Sequence, residues 1–347
     1  MQEIPMSFNK IQPIPDVETI IREIPLPAAL EQEKKRRDRE IADVFEGKND
    51  KFILIIGPCS AHDEDAVCDY IGRLAKVQEQ VKQRLTLIPR IYTNKPRTTG
   101  EGYKGMLHQP DHQKEPNMVE GLKAIRRMHI RAFSESNLPA ADEMLYPGNY
   151  PYLEDLLSYV AIGARSVENQ LHRLTVSGLD IPVGMKNPTS GDPEVLLNSM
   201  QAAQSPHVFS YNGWEVGTSG NPLIHAVLRG AVNQHGESIP NYHYEDLINF
   251  AESYLGRNLQ NPTVIVDTNH ANSNKKYAEQ PRIAMEVMNS RKQSELLRTL
   301  VKGLMIESFI AEGSQKPYEN EYGKSITDPC LGWEKSEKLI RQIADLV

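Results

Sequence analysis

The chain has 347 residues, 39% apolar and 24% charged, with a formal net charge of −7 at pH 7. That length suits one large domain or two small ones, and the acidic balance disfavours nucleic acid as a partner, so any cationic pocket has to be local. Cys59, Cys68 and Cys330 are too sparse for a disulfide framework and no stretch approaches the ~20 apolar residues of a membrane span, which points to a reducing, cytoplasmic setting with no membrane partner.

Pro5, Pro13 and Pro15 mark residues 1–15 as an extended arm. Residues 27–46 read as a helix that buries Leu30, Ile41, Val44 and Phe45 and leaves Lys34-Lys35-Arg36-Arg37 solvated, with Gly47 as its stop. Residues 1–50 are therefore expected to form an N-terminal extension to a main domain of residues 51–347. From residue 51 onward, short apolar runs end on residues fit for chemistry. Residues 53–56 lead into Gly57-Pro58-Cys59, 85–88 into Pro89-Arg90, and 138–141 into Asp142-Glu143. Further on, 160–164 lead into Arg165, 182–185 into Lys186, 264–266 into Asp267-Thr268-Asn269-His270, and 304–306 into Glu307. Val208-Phe209 is a weaker run, taken as the sixth strand. Helical stretches are read at 65–81, 121–133, 152–159, 193–203, 244–255, 283–301 and 333–346. The alternation predicts an α/β fold with a parallel sheet, and polar residues at the C-terminal ends of buried strands predict a (β/α)8 TIM barrel. Residues 93–118 and 210–242 are too long for plain connections. The second interval is expected to carry an inserted hairpin or loop after strand 6, with Val227-Leu228 as one of its strands.

One set of strand-end residues has the chemistry of a metal site. Cys59, His270 and Glu307 end the first, seventh and eighth strands, and Asp328 lies in the loop beyond the eighth. In a closed barrel these strands are neighbours. A thiolate, an imidazole and two carboxylates suit one divalent ion, Mn2+, Fe2+, Co2+ or Zn2+. Taken singly, each of these residues is more often structural, such as a buried thiol or a turn aspartate.

A second set is cationic. Arg90, Lys95, Arg97, Arg165, Lys186 and Arg229 all fall at strand ends or in the loops beyond. Guanidiniums in a barrel mouth are costly unless an anion or carboxylate completes them, and Arg matches phosphate and carboxylate as a fork. Six cations exceed the need of one phosphate and suggest two phosphorylated substrates. In Lys95-Pro96-Arg97-Thr98-Thr99, the proline stiffens the backbone between two cations and the threonines offer hydroxyls. The bland alternative pairs each cation with a carboxylate, as Glu143 could do for Lys186 or Arg90.

Gly57-Pro58-Cys59-Ser60, Arg90, Lys95-Pro96-Arg97-Thr98-Thr99, Ile162-Gly163-Ala164-Arg165, Gly184-Met185-Lys186-Asn187, Leu228-Arg229-Gly230, Asp267-Thr268-Asn269-His270-Ala271-Asn272, Met305-Ile306-Glu307-Ser308 and Gly323-Lys324-Ser325-Ile326-Thr327-Asp328 occur in this order. Together they resemble the type I 3-deoxy-D-arabino-heptulosonate 7-phosphate (DAHP) synthases, and the resemblance runs from about Lys51 to the C-terminus. It implies condensation of phosphoenolpyruvate with D-erythrose 4-phosphate to give DAHP and phosphate, the first step of the shikimate pathway to chorismate and the aromatic amino acids. It further implies that Cys59, His270, Glu307 and Asp328 hold the metal and that Arg90, Lys95, Arg165, Lys186 and Arg229 surround phosphoenolpyruvate. Lys95, Pro96, Arg97 and Thr98 would surround the aldose phosphate, with Asp267 also assigned to the substrate site. Catalytic roles fall on Lys95, as a proton donor to the new alkoxide, on Glu143, orienting water or a cation, and on Cys59 and His270. An aromatic amino acid effector and a homodimer or homotetramer are expected, built on the N-terminal extension and the 210–230 insertion. The rival readings are a 3-deoxy-octulosonate 8-phosphate synthase-like enzyme, a metal-dependent sugar-phosphate aldolase, and a non-catalytic sensing barrel.

Overall fold

The computed structural model describes residues 8–97 and 99–347. Two helices, α1 (Val17–Glu23) and α2 (Ala28–Phe45), precede the first strand. There follow β1 (Phe52–Gly57), α3 (Glu64–Val81), β2 (Leu85–Pro89), α4 (Met118–Ser136), β3 (Ala140–Glu143), β4 (Leu157–Ile162), α5 (Gln170–Val176), β5 (Val183–Lys186) and α6 (Pro193–Ala203). The second half holds β6 (Val208–Tyr211), β7 (Trp214–Gly217), β8 (Ile224–Leu228), β9 (Ala231–Val232), β10 (Ser238–Ile239), α7 (Tyr244–Leu255), β11 (Val264–Asp267), α8 (Gln280–Gln293), α9 (Glu295–Leu300), β12 (Val301–Glu307) and α10 (Trp333–Leu346).

Eight strands form one parallel sheet in the order β2-β1-β12-β11-β8-β5-β4-β3. Its two edges meet through the bridge between Arg90 and Ala141, where the Ile91 amide donates to the Ala141 carbonyl at 2.9 Å. The fold is thus the expected (β/α)8 barrel. The strands are buried on both faces, as parallel strands under helices require. Their pleat divides the core. Ile53 and Ile55 of β1 point inward with Ile88, Tyr92, Tyr159, Ile265 and Met305, while Phe52, Leu54 and Ile56 point outward under the helices.

Helix α2 supplies Ile41, Ala42, Val44 and Phe45 to the inner cluster, so it closes the end of the barrel where the strands begin. The Phe45 ring lies 4.5 Å from the His225 ring and 6.2 Å from that of Tyr159. The basic run on this helix is only partly solvated, contrary to expectation. Lys34 is buried and donates to Asp38 and to the Leu157 carbonyl at 2.9 Å, which ties α2 to the start of β4.

The sixth barrel strand is β8, not Val208-Phe209. Ile224–Leu228 is buried throughout and pairs in register with both β5 and β11. Val208–Tyr211 alternates between exposed and half-buried positions and pairs only with β7, so it is a hairpin inserted ahead of the sixth strand. The short β9–β10 hairpin follows the sixth strand, where an insertion was expected. Residues 152–159 are not a helix: a 3-10 turn ends at Tyr152 and β4 begins at Leu157. Helices α1 and α5 have no counterpart in the sequence reading, and the stretch read at 283–301 breaks at Ser294, whose side chain caps α9.

Candidate active site

Because the sheet is parallel, all eight C-terminal strand ends open on one face. A cavity of about 290 Å3 lies there. Its lining includes Cys59, Arg90, Lys95, Pro96, Arg97, Glu143, Arg165, Lys186, Arg229, His270 and Asp328. Glu307 and Asp267 lie just beneath, both buried. The structure therefore brings together every described residue of the two sequence-derived sets. Thr98 falls outside the described residues.

The strand order explains the convergence of the first set. β12 lies between β1 and β11, with Gly57 opposite Glu307 and Asp267 opposite Met305. Cys59 Sγ is 3.3 Å from Asp328 Oδ2, and the Lys95 ammonium donates to both, at 2.6 Å and 2.8 Å. His270 Nε2 is 3.9 Å from Glu307 Oε1. Among the described residues, no three His, Cys, Asp or Glu side chains stand in metal-holding geometry, so the four donors meet in pairs. A first-row divalent ion nonetheless fits the set in kind, and the ammonium held between thiol and carboxylate marks a position that favours positive charge.

The surrounding charges are strongly coupled. Burial pushes the Cys59 thiol up to about 11, helped by the Glu307 charge and opposed by Lys95. Burial alone would raise the carboxyl of Asp328, yet the Lys95 ammonium and the Cys59 thiol hold it well below the usual range. Burial likewise works against ionisation of Glu307, and Arg90 and His270 overcome it. Asp267 is held ionised against burial by His270, Lys186 and Arg90. Its Oδ2 stands 2.9 Å from His270 Nδ1, although the two are out of line for a hydrogen bond. The backbone of His270 has φ 52°, in the left-handed region, which costs a non-glycine residue roughly 1–3 kcal/mol and is typical of functional positions.

The cations divide into paired and free. Arg90 is buried, donates to Glu307 Oε1 at 2.7 Å and to the Pro58 carbonyl at 3.1 Å, and leaves Nη1 without a partner. Lys186 is loosely matched, 3.8 Å from Glu143 and 3.7 Å from Asp267. The bland pairing of Glu143 with Lys186 and of a carboxylate with Arg90 is thus met in part. Arg97, Arg165 and Arg229 have no carboxylate partner among the described residues. Arg97 donates to the Tyr103 carbonyl at 2.9 Å. The guanidinium of Arg229 is pushed down by burial and by neighbouring Arg165, against the pull of Asp267, which is the signature of a pocket short of negative charge.

Several residues that hold this site were not singled out from the sequence. Asn269 donates to Glu307 Oε2 at 2.6 Å, and Gln280 clasps the Glu307 backbone, accepting from its amide at 2.8 Å and donating to its carbonyl at 2.9 Å. Tyr92 lies under the Arg90 guanidinium at 3.8 Å, two residues further along the same face. Asn187 accepts from the Arg229 amide at 2.9 Å. Asp142, already noted at the end of the third strand, accepts from the amide of Thr93 at 2.9 Å and from its hydroxyl, an anchoring role for the segment that carries Lys95. Asn187 and Asn269 sit inside motifs already noted, which is the one signal that could have found them.

The model of the DAHP synthetase I family matches residues 26–341. The chain belongs to that family. The phospho-2-dehydro-3-deoxyheptonate aldolase of Haemophilus influenzae is 37% identical over 321 residues, covering 90% of this chain and 86% of that protein. The Phe-sensitive phospho-2-dehydro-3-deoxyheptonate aldolase of Escherichia coli K12 is 37% identical over 317 residues, covering 89% and 87%. A solved phospho-2-dehydro-3-deoxyheptonate aldolase structure from Francisella tularensis SCHU S4 superposes with a TM-score of 0.90 at 30% identity and covers 98% of each chain. Family membership makes this chain an enzyme of carbon–carbon bond formation, a transferase-type aldolase. No described helix is long and apolar enough to cross a membrane.

Proposed function

We propose that this cytoplasmic enzyme condenses phosphoenolpyruvate with D-erythrose 4-phosphate to give DAHP and phosphate, as the first step of the shikimate pathway. The observation that carries the reading is the sharing of one mouth by unpaired Arg97, Arg165 and Arg229 and by the Cys59, His270, Glu307 and Asp328 donors. In this reading Arg90, Arg165, Lys186 and Arg229 receive the phosphate and carboxylate of the enol. Lys95, Pro96, Arg97 and Thr98 receive the aldose phosphate. Cys59, His270, Glu307 and Asp328 would hold one divalent ion, Mn2+, Fe2+, Co2+ or Zn2+, which when bound polarises the aldehyde.

C3 of the enol then attacks the aldehyde carbon, water adds at C2, and phosphate leaves with cleavage of its C–O bond. Preorganised guanidiniums align the two reactants and stabilise the charge that develops. The Lys95 ammonium passes its proton to the new alkoxide, and Glu143, beside Lys186, orients the incoming water. Near-normal turnover of Lys95→Met would remove the first of these roles.

An aromatic amino acid is the proposed effector, since one relative is named Phe-sensitive. Assembly as a homodimer or homotetramer is proposed through residues 1–50 and the β6–β7 hairpin, where Val208 and Trp214 are 73% and 75% exposed.

The test is phosphoenolpyruvate consumption by chelator-stripped protein, with erythrose 4-phosphate or arabinose 5-phosphate, with and without added Mn2+. Metal-dependent loss with erythrose 4-phosphate alone is expected. Activity only with arabinose 5-phosphate would replace the aldose assignment by the octulosonate one, and no activity from folded, metal-loaded protein would overturn the reading.

A further inference from the structure

The strands begin on the face opposite the mouth, and there a cavity of about 770 Å3 opens between the loop before β1, the end of α8, α9 and the start of β12. It is strongly cationic. Lys51, Arg291, Lys292, Arg298 and Lys302 border it, against Asp50, Asp345 and the terminal residue Val347 with its carboxylate. In a chain of net charge −7 this is no general excess. Elsewhere on the surface, Arg36, Arg39, Arg131 and Arg282 each engage at least two carboxylates.

Around this cavity pairing fails. Among the described residues, Lys51, Arg291, Lys292 and Lys302 have no carboxylate within ion-pair distance, and Arg298 has only Glu295 at 3.3 Å on its own helix. Lys302 donates to the Phe45 carbonyl at 2.9 Å. Arg291 packs over the Phe52 ring at 4.5 Å, donates from Nη2 to the Arg298 carbonyl at 3.2 Å, and keeps a buried Nε with no partner. Burial and the charge of Arg298 push its guanidinium down to about 10. Cations in the last turn of α8 answer the helix dipole, which accounts for Arg291 and Lys292. Lys51, Arg298 and Lys302 come from other elements and have no such reason to gather.

We propose that this cavity is a second ligand site, for a small phosphate-bearing anion. Two guanidiniums offer forked donors and three ammoniums offer point charges, the combination that suits phosphate. The volume lies within the range of small-molecule sites. Lys302 and Glu307 are five residues apart on β12, so the site is about 17 Å from the mouth, at ~3.3 Å per residue. It stands whether or not the proposed condensation does.

The experiment is lysine acetylation footprinting of the full-length protein by mass spectrometry, with pyrophosphate as the probe and chloride matching the ionic strength. Pyrophosphate is expected to slow acetylation of Lys51, Lys292 and Lys302 by about tenfold in the wild type, the effect of ~1.4 kcal/mol of binding at the probe concentration used. That protection is lost in the Arg291→Gln variant and weakened in Arg298→Gln, whose exposed side chain can change without risk to folding. Protection at Lys95 and Lys186 stays as in the wild type. Three results would overturn the proposal: no protection at the three lysines, protection retained by both variants, or equal protection by citrate at the same charge.

Discussion

Acid should unfold this protein partly through one histidine inside the barrel. His225 lies on β8 and is 1% exposed. Its Nδ1 is 3.0 Å from the Leu223 carbonyl and its Nε2 is 2.9 Å from the Tyr159 hydroxyl, a network that assigns the proton to Nδ1 and leaves Nε2 as acceptor. Phe45 covers the ring. A second proton would sit in an apolar enclosure and would turn the Tyr159 bond against itself. Burial, with Lys302 adding repulsion and the Leu223 carbonyl opposing, pushes the imidazole down from 6.5 to about 3. Above pH 6.5 the ring is neutral both folded and unfolded and has no effect. Between pH 6.5 and 3 the unfolded chain takes up a proton that the folded one refuses, so stability falls as pH falls, by ~1.4 kcal/mol per pH unit and about 5 kcal/mol in all. The assay is urea unfolding at half-unit pH steps, comparing the wild type with His225→Gln, which still offers Tyr159 an acceptor. Carboxylates titrate in both proteins, so the difference between the two curves isolates the histidine. A variant whose stability falls with acid as steeply as that of the wild type would refute the reasoning.

Other perturbations test the mouth. Breaking the buried Arg90–Glu307 pair with Arg90→Met should cost about 3–5 kcal/mol, read as a lower urea midpoint, and the double variant with Glu307→Gln should recover part of it. A Cβ on Gly163 would stand 2.6 Å from Glu143 Oε1, so Gly163→Ala should displace that carboxylate and lower kcat with little change in thermal midpoint. Asp142→Asn should loosen the Thr93 anchor and raise KM for the aldose phosphate more than for the enol, measured by initial rates with each substrate varied.

The chemistry-bearing residues were legible because each closes a short apolar run, a local pattern that survives without tertiary information. The barrel order then set them around one mouth, with Cys59 beside Asp328 and His270 beside Glu307 rather than all four donors in one cluster. The sixth strand was misplaced because Val208–Tyr211 and Ile224–Leu228 are both short apolar-rich runs. Only the sheet reveals that one is buried on both faces and the other half-buried on a single face. The Lys34 run misled for a similar reason: a cation four residues from Asp38 looks solvated until β4 supplies a carbonyl beneath it. The bonds that hold Glu307 were illegible even though Asn269 lies in a noted motif, because they span 38 residues for Asn269 and 27 for Gln280, distances no sequence period encodes.

The place of β12 between β1 and β11 also sets an order of events during synthesis. Cys59 and Asp328, which touch in the finished mouth, are separated by 269 residues. At ~5–20 residues per second, the first strand emerges from the ribosome about 13–54 seconds before its partner loop. Until β12 emerges, β1 has at most one neighbour and keeps an open edge of unpaired amides and carbonyls beside a free thiol. The last strand is thus the one that seals the barrel, and a nascent chain stalled before residue 301 would leave a sticky sheet that lacks Glu307 and Asp328, two of the four proposed metal donors.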